Sequence, residues 1–182
     1  MKTESTVKYV LRLTVTLLLI AGIVAALLAA VNGVTKPIID QLTLEKTQKA
    51  IEAVLPGGGE EVEFTDTTGI VQTVYKGENG YAVQVAPVGF NGAVTMMVGV
   101  DFEGKVLGIS VISQAETAGL GAVCADKTSK GEAFRNQFIG MSGDLAVTND
   151  GGEVDAISSA TITSRAVTAG VNAAIDCVAN MG

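Results

Sequence analysis

A cluster of hydroxyl side chains stands directly before a helical pattern near the C-terminus of this chain. Of the ten residues 155–164, five carry a hydroxyl, and the only acidic one, Asp155, comes first. The apolar residues that follow recur at steps of three and four and predict a helix; they are Val167, Val171, Ala174, Ile175 and Val178. Ser and Thr at a helix start cap free backbone N–H groups. Those N–H groups and the helix dipole also favour a bound anion. Two interpretations are therefore open, capping alone or a phosphate site.

A second candidate site is the segment 116–121, which reads Glu-Thr-Ala-Gly-Leu-Gly. Gly119 and Gly121 mark a loop in which the backbone either turns sharply or lies close to another molecule. An ordinary turn and a ligand-binding loop both fit this pattern. In the second case Glu116 and Thr117 would hydrogen-bond the ligand, whereas in the first Glu116 would face solvent.

The segments around these motifs predict an α+β domain. Two runs of β-forming residues, 71–75 and 81–85, flank a glycine turn at 77–80, which is typical of a hairpin. Residues 93–100 and 106–111 predict a second pair of strands. A short helix is expected from Lys127 to Phe138, with Phe134 and Phe138 in the core.

The N-terminal part predicts a single transmembrane helix. Residues 13–35 contain no charged side chain, and at about 1.5 Å per residue they span roughly 35 Å, more than the hydrocarbon core of about 30 Å. A cleaved signal peptide is the alternative, but the stretch exceeds the usual apolar region of about 7–15 residues. Lys2, Lys8 and Arg12 precede the span, so we expect a cytoplasmic N-terminus.

These features divide the chain into four segments. Residues 1–12 are the cytoplasmic N-terminus, 13–35 the membrane helix, 36–61 a post-membrane helix with a linker, and 62–182 an extracytoplasmic domain. Pro37 suits the first turn of the post-membrane helix, and Pro56 with the three glycines after it ends that helix.

Composition excludes several classes of function. After residue 12 the chain has 9 basic and 18 acidic side chains, so no nucleic-acid partner is expected. The sequence has no His, and its two cysteines, Cys124 and Cys177, are far apart, so no metal site is expected. The cysteines are either a disulfide or two small apolar side chains.

Residues 155–161 resemble a known flavinylation motif, Asp-x-x-Ser/Thr-Gly-Ala-Thr, with Ser159 at the glycine position. This motif marks the covalent-FMN domain family, which includes the G subunit of Rnf complexes and the C subunit of the sodium-pumping NADH:quinone reductase. The loop 116–121 resembles the Glu-Thr-Pro-Gly-Leu-Gly segment of that family, with Ala118 in place of Pro. Residues 90–106 and 134–140 resemble its sheet and its short helix.

The resemblance implies one covalent FMN, joined to Thr161 by a phosphoester that a flavin transferase forms. Because no His is available to activate the Thr hydroxyl, the chain is interpreted as the substrate of that enzyme. The resemblance assigns no catalytic residue and no metal ligand to this chain. The other implied cofactor-binding residues are Asp155, Ser158, Ala160, Thr163, Glu116, Thr117, Gly119, Leu120 and Gly121.

The implied fold is a transmembrane helix followed by an FMN-binding domain with an antiparallel sheet flanked by helices. The implied function is that of an electron carrier, a redox subunit in the cell membrane within a complex of membrane and peripheral subunits. Such complexes couple electron transfer between ferredoxin and NAD⁺ to Na⁺ or H⁺ translocation. The alternatives are a membrane-anchored FMN domain of another electron-transfer or sensory system, and a non-redox extracytoplasmic binding or assembly module.

Overall fold

A computed structural model describes residues 3–66 and 68–181, so Lys2 of the basic cluster lies outside the described residues. The chain divides into two units, one up to Leu44 and one from Glu45 onwards. The described helices and strands are α1 (Thr3–Val54), β1 (Glu60–Val62), β2 (Val71–Lys76), β3 (Tyr81–Val85), β4 (Thr95–Val100), β5 (Val106–Ser113), α2 (Ser129–Asn136) and α3 (Thr161–Ala179).

The first unit consists of the larger part of α1. Its most apolar stretch has a mean hydropathy of 2.7, and by length and composition the helix is a candidate membrane span. The side chains from Thr6 to Leu44 are all exposed. Apolar side chains that find no protein core are expected to contact lipid, which agrees with the predicted transmembrane helix.

The expectation that a second helix begins at Pro37 is wrong, because α1 continues through this residue. A proline inside a helix removes one backbone hydrogen bond, here to the carbonyl of Gly33, and crowds that carbonyl. The helix nevertheless continues on both sides of Pro37. The predicted boundaries around the membrane, at residues 12, 35 and 61, stay predictions.

The second unit contains a five-stranded antiparallel sheet in the order β1-β2-β3-β4-β5. The predicted hairpin is present, since the N–H of Gly77 donates to the carbonyl of Gly80 at 2.9 Å. The sheet and its flanking helices confirm the predicted α+β class.

The two faces of the sheet bury different side chains, because successive residues of a strand point to opposite sides. Val83, Met96 and Val98 pack with Val167 and Val171 of α3 in the larger core. On the other face, the end of α1 closes a smaller core. That core consists of Ala50, Ile51, Val54, Leu55, Ala82, Met97 and Ile112.

Backbone contact is close where α1 meets the second face. A Cβ added to Gly99 of β4 would lie 2.5 Å from the carbonyl oxygen of Val54, which is not possible without movement. Gly108, which pairs with Gly99 across β4 and β5, has more room, since its added Cβ would lie 3.9 Å from a Val54 methyl carbon. The sequence therefore lets the helix end approach the sheet at one glycine.

The helix α2 is shorter than the predicted 127–138. Thr128 is its N-cap and accepts a hydrogen bond from the N–H of Gly131, and the chain leaves the regular helix after Asn136. Phe134 and Phe138 are buried and meet edge to face with ring centroids 5.6 Å apart, which confirms their predicted place in the core.

Candidate functional site

An open cavity of about 390 Å³ lies where three segments of the second unit meet. The segments are the loop 87–93 after β3, the glycine loop 116–121 and the first turn of α3. This volume falls within the range of cavities that hold small molecules and cofactors. The lining residues are Phe90, Glu116, Thr117, Leu120, Gly121, Ser159, Ala160, Thr161, Ile162 and Thr163.

The cavity brings most of the implied cofactor-binding residues together. Thr161 is partly exposed at its wall, beside the buried Ala160, and Leu120 and Gly121 belong to the same lining. Three of the expected residues are not among its lining: Asp155, Ser158 and Gly119. Sequence reasoning missed Phe90 and Ile162, although both are large apolar side chains next to a predicted motif or strand.

The first turn of α3 presents backbone donors to this cavity. The N-cap is Ala160, and no side chain caps the helix. The first helical hydrogen bond runs from the N–H of Ser164 to the carbonyl of Ala160 at 3.0 Å, so the N–H groups of Thr161, Ile162 and Thr163 have no partner within the helix. The expectation that a hydroxyl caps this helix is therefore wrong, and the uncapped donors suit an anion.

The hydroxyl of Ser164 has a different task. It accepts a hydrogen bond from the N–H of Ile157 at 2.9 Å and donates to the carbonyl of Ala160 at 3.0 Å. Gln137 holds the start of the same segment, because its side chain accepts from the N–H of Asp155 at 2.8 Å and donates to its carbonyl at 3.2 Å. The segment 155–160 is thus fixed at both ends, while its carboxylate and Ser158 stay exposed.

Thr163 and Glu116 form a contact that no local pattern predicts, since they are 47 residues apart. The Thr163 hydroxyl donates to Oε2 of Glu116, and both side chains are buried. Glu116 therefore does not face solvent, and the Thr163 hydroxyl does not cap α3. A contact between Thr163 and a phosphate stays a prediction.

Charge at the site is sparse. Glu116 is the one charged residue in the cavity lining. Arg165, in the first turns of α3, donates from Nε to Oδ2 of Asp150 at 2.7 Å, and this hydrogen bond holds the pKa of Asp150 below its usual value. Among the residues that the structure describes, no group of His, Cys, Asp and Glu is arranged to hold a metal ion.

The two cysteines are free and buried. Burial, together with the nearby charge of Glu116, raises the pKa of the Cys124 thiol to about 11. A thiol with such a pKa is not ionised at neutral pH, so it behaves as a small apolar side chain. The structure therefore contains no disulfide between Cys124 and Cys177, and both are small apolar side chains.

The geometry fits the phosphate end and the ring of a flavin nucleotide. Uncapped N–H groups at a helix start suit the phosphate, and Thr161, which carries a hydroxyl, begins that helix. Phe90, Leu120 and Ile162 supply apolar surface beside it.

Comparison with known proteins agrees with this fit. The model of the FMN-binding domain family matches residues 89–176. The chain is 32% identical over 188 residues to the G subunit of the ion-translocating oxidoreductase complex of Methanosarcina acetivorans, covering 94% of this chain and 95% of that protein. It is 32% identical over 200 residues to the G subunit of the Na⁺-translocating ferredoxin:NAD⁺ oxidoreductase complex of Acetobacterium woodii, with 96% and 94% covered. A proton-translocating counterpart from Clostridium ljungdahlii is 33% identical over 165 residues, with 87% and 84% covered.

Proposed function

Because the chain belongs to the family of G subunits of ion-translocating oxidoreductase complexes and contains an FMN-binding domain, we propose that it is a redox subunit that carries FMN covalently on Thr161. The observation that carries this proposal is the position of Thr161 at the wall of the cavity, as the first residue of an uncapped helix. FMN bound there would supply one- and two-electron transfer, while the protein would supply its position and electrostatic surroundings.

Different groups around Thr161 would contact the phosphate and the ring of the cofactor. The N–H groups of Thr161 to Thr163 would stabilise the phosphate, which sits at the positive end of the helix dipole. Phe90, Leu120 and Ile162 would cover apolar parts of the ring and exclude water from it. Ser158 and Asp155, which are exposed and outside the cavity lining, would be available to a flavin transferase.

We further propose that the chain joins other membrane and peripheral subunits in a complex that couples ferredoxin:NAD⁺ electron transfer to ion movement. The matched relatives include complexes named for Na⁺ and for H⁺ at similar identity, so the proposal covers both ions. The basic residues Lys8 and Arg12 before the apolar stretch support a cytoplasmic N-terminus and an FMN domain on the other side of the membrane.

The first prediction concerns the attachment site. After co-expression with a flavin transferase, the denatured wild-type chain should gain the mass of one FMN less one water. The Thr161 oxygen loses its proton and forms a bond to the flavin phosphorus, and the P–O bond to the leaving group of the flavin donor breaks; a flavin dinucleotide would release AMP in this way. Thr161→Ala should remove this gain, because no oxygen remains to form the bond. Intact mass, followed by peptide mapping, measures both.

The control is Ser142→Ala, which removes an exposed hydroxyl outside the motif. It should retain the flavin on the peptide that contains Thr161. Flavin retained in Thr161→Ala would move the attachment to another residue, which the peptide map would identify. A wild-type chain with no added mass would leave the cavity without its proposed cofactor.

A further inference from the structure

Glu116 has both carboxylate oxygens engaged by the protein itself. Its Oε1 accepts a hydrogen bond from the backbone N–H of Asn91 at 2.9 Å. Its Oε2 accepts from the hydroxyl of Thr163. The side chain is only 8% exposed, although it stands in the wall of an open cavity.

These two hydrogen bonds join the three segments that line the cavity. Asn91 belongs to the loop after β3, Glu116 to the glycine loop, and Thr163 to the first turn of α3. A second link runs from the side-chain amide of Asn91 to the hydroxyl of Thr117 at 3.2 Å. Without Glu116, the Thr163 hydroxyl of α3 would lose its polar link to the two loops.

Two glycines, Gly89 and Gly121, leave the space that the Glu116 carboxylate occupies. A Cβ at Gly89 would lie 2.6 Å from Oε1, and a Cβ at Gly121 would lie 2.6 Å from Oε2. The backbone therefore closes on the carboxylate from both sides, and any larger residue at either position would push it out. This explains the second glycine of the loop 116–121 without any ligand contact.

Among the described residues, no cationic side chain forms an ion pair with Glu116. The ion pairs found in the described ranges 3–66 and 68–181 join Lys49 to Glu45, Lys105 to Glu103 and Arg165 to Asp150, and none of them includes Glu116. A buried charge without a counterion costs free energy that hydrogen bonds only partly offset. Because a neutral amide could join Thr163 and Asn91 at lower cost, we expect the charge itself to have a role.

We propose that Glu116 is a positioning residue of the flavin site, which holds the cavity wall together through Asn91 and Thr163 and places a negative charge in that wall. A negative charge close to a redox group disfavours the addition of electrons, so the charge lowers the midpoint potential of a flavin in the cavity. The effect of the charge on the midpoint potential rests on the proposed function, because it needs a flavin in the cavity. The positioning role concerns the chain alone.

Two substitutions separate geometry from charge. Glu116→Gln keeps the length of the side chain: its oxygen can accept from Asn91, and its NH₂ group can donate to the Thr163 hydroxyl. Glu116→Asp keeps the charge but is one methylene too short to reach both partners. The control is Glu78→Gln, which removes one charge from the exposed turn at the opposite end of β3.

The positioning role is tested on the chain without flavin, by measuring the hydrogen-exchange rate of the Asn91 backbone amide. Exchange in Glu116→Asp should be about tenfold faster than in the wild type, because the N–H loses a charged acceptor. In Glu116→Gln it should stay close to the wild type. Equal Asn91 exchange in wild type and Glu116→Asp would overturn the positioning role.

The charge is measured by redox titration of the flavin-loaded chains, after intact mass has established equal loading. Glu116→Gln should raise the midpoint potential relative to both wild type and Glu78→Gln. An unchanged potential in the loaded variant would overturn the role of the charge. A wild-type chain without covalent flavin would contradict the proposed function instead, and the Asn91 exchange would still decide the positioning role.

Discussion

At the scale of the residue, Ser159 shows how the flavinylation motif depends on backbone conformation. Its φ is 62°, and among the described residues it is the one non-glycine residue with a positive φ. The motif that residues 155–161 resemble has glycine at this position, which adopts the left-handed region without the clash that a Cβ causes. The departure from the motif is therefore a cost in strain, and the turn still forms.

Ser159→Gly should consequently stabilise the chain. Removing the Cβ of a residue in the left-handed region relieves strain of about 1–2 kcal/mol in the folded chain. The extra conformational freedom of glycine in the unfolded chain offsets part of this stabilisation. A net gain of about 0.5–1 kcal/mol in the free energy of unfolding is expected from urea denaturation. Ser158→Gly is the control and should be neutral or destabilising, because Ser158 has no positive φ. Equal effects of the two substitutions would argue against strain at Ser159.

The residue scale also shows where sequence reasoning reaches its limit. The place of Thr161 at the start of a helix follows from local periodicity, and the structure has α3 begin there. The hydrogen-bond partners do not follow from local periodicity. Thr163 pairs with Glu116, 47 residues away, and Asp155 pairs with Gln137, 18 residues away. Hydroxyls near a helix start suggest capping by their frequency alone, whereas tertiary contacts decide which of them is used.

At the scale of the element, strands are easier to predict than helix ends. Alternating β-formers and a glycine turn fix β2 and β3 to within a residue, since both signals lie within the hairpin. The prediction of a separate helix with Pro37 in its first turn is wrong, because a proline is favoured at a helix start but does not always interrupt a longer helix. The end of α2 after Asn136 is likewise not at the predicted place; the C-cap is Gln137, whose side-chain amide donates to the carbonyl of Asp155.

The contact between the end of α1 and β4 gives a prediction at this scale. Gly99→Ala should lower the free energy of unfolding by about 1–3 kcal/mol, the usual cost of overpacking, because the new Cβ meets the Val54 carbonyl oxygen. Chemical denaturation monitored by circular dichroism measures the loss.

Gly108→Ala is a closely matched control, since Gly108 is the cross-strand partner of Gly99. Its new methyl group would make an ordinary contact with Val54, and Ala is favoured over Gly in a strand interior by roughly 0.5–1 kcal/mol. It should be neutral or stabilising. A destabilisation equal to that of Gly99→Ala would show that the helix end does not limit the space at Gly99.

At the scale of the whole molecule, the core lies entirely within the second unit. The buried clusters of the described residues begin at Ala50 and include no side chain of the first unit. The end of α1 nevertheless belongs to the second unit, because Ala50, Ile51, Val54 and Leu55 cover one face of the sheet. The predicted membrane span and the segment that covers the sheet therefore belong to the same helix, α1, but only the end of α1 contributes to a core.

Truncation tests this division. A chain that starts at Glu45 should be soluble and should unfold cooperatively, since it keeps both cores. A chain that starts at Pro56 loses the cover of Ala82, Met97 and Ile112 and should be much less stable or aggregate, because a large apolar patch becomes exposed. Thermal unfolding of the two fragments provides the comparison, and equal stability would contradict the role given to the end of α1.

The sparse charge of the cavity has a consequence for occupancy. Among the described residues of the lining, Glu116 is the one with a charge, and it is negative; Arg165 is paired with Asp150. A free nucleotide with a doubly charged phosphate would therefore meet the N–H donors of α3 but no cationic side chain of the lining. A tether at Thr161 changes the problem from binding at the dilute concentration of free flavin to binding within one molecule, at an effective concentration on the order of millimolar. Such a cavity needs only weak affinity to stay filled, and weak affinity lets the ring leave and return quickly.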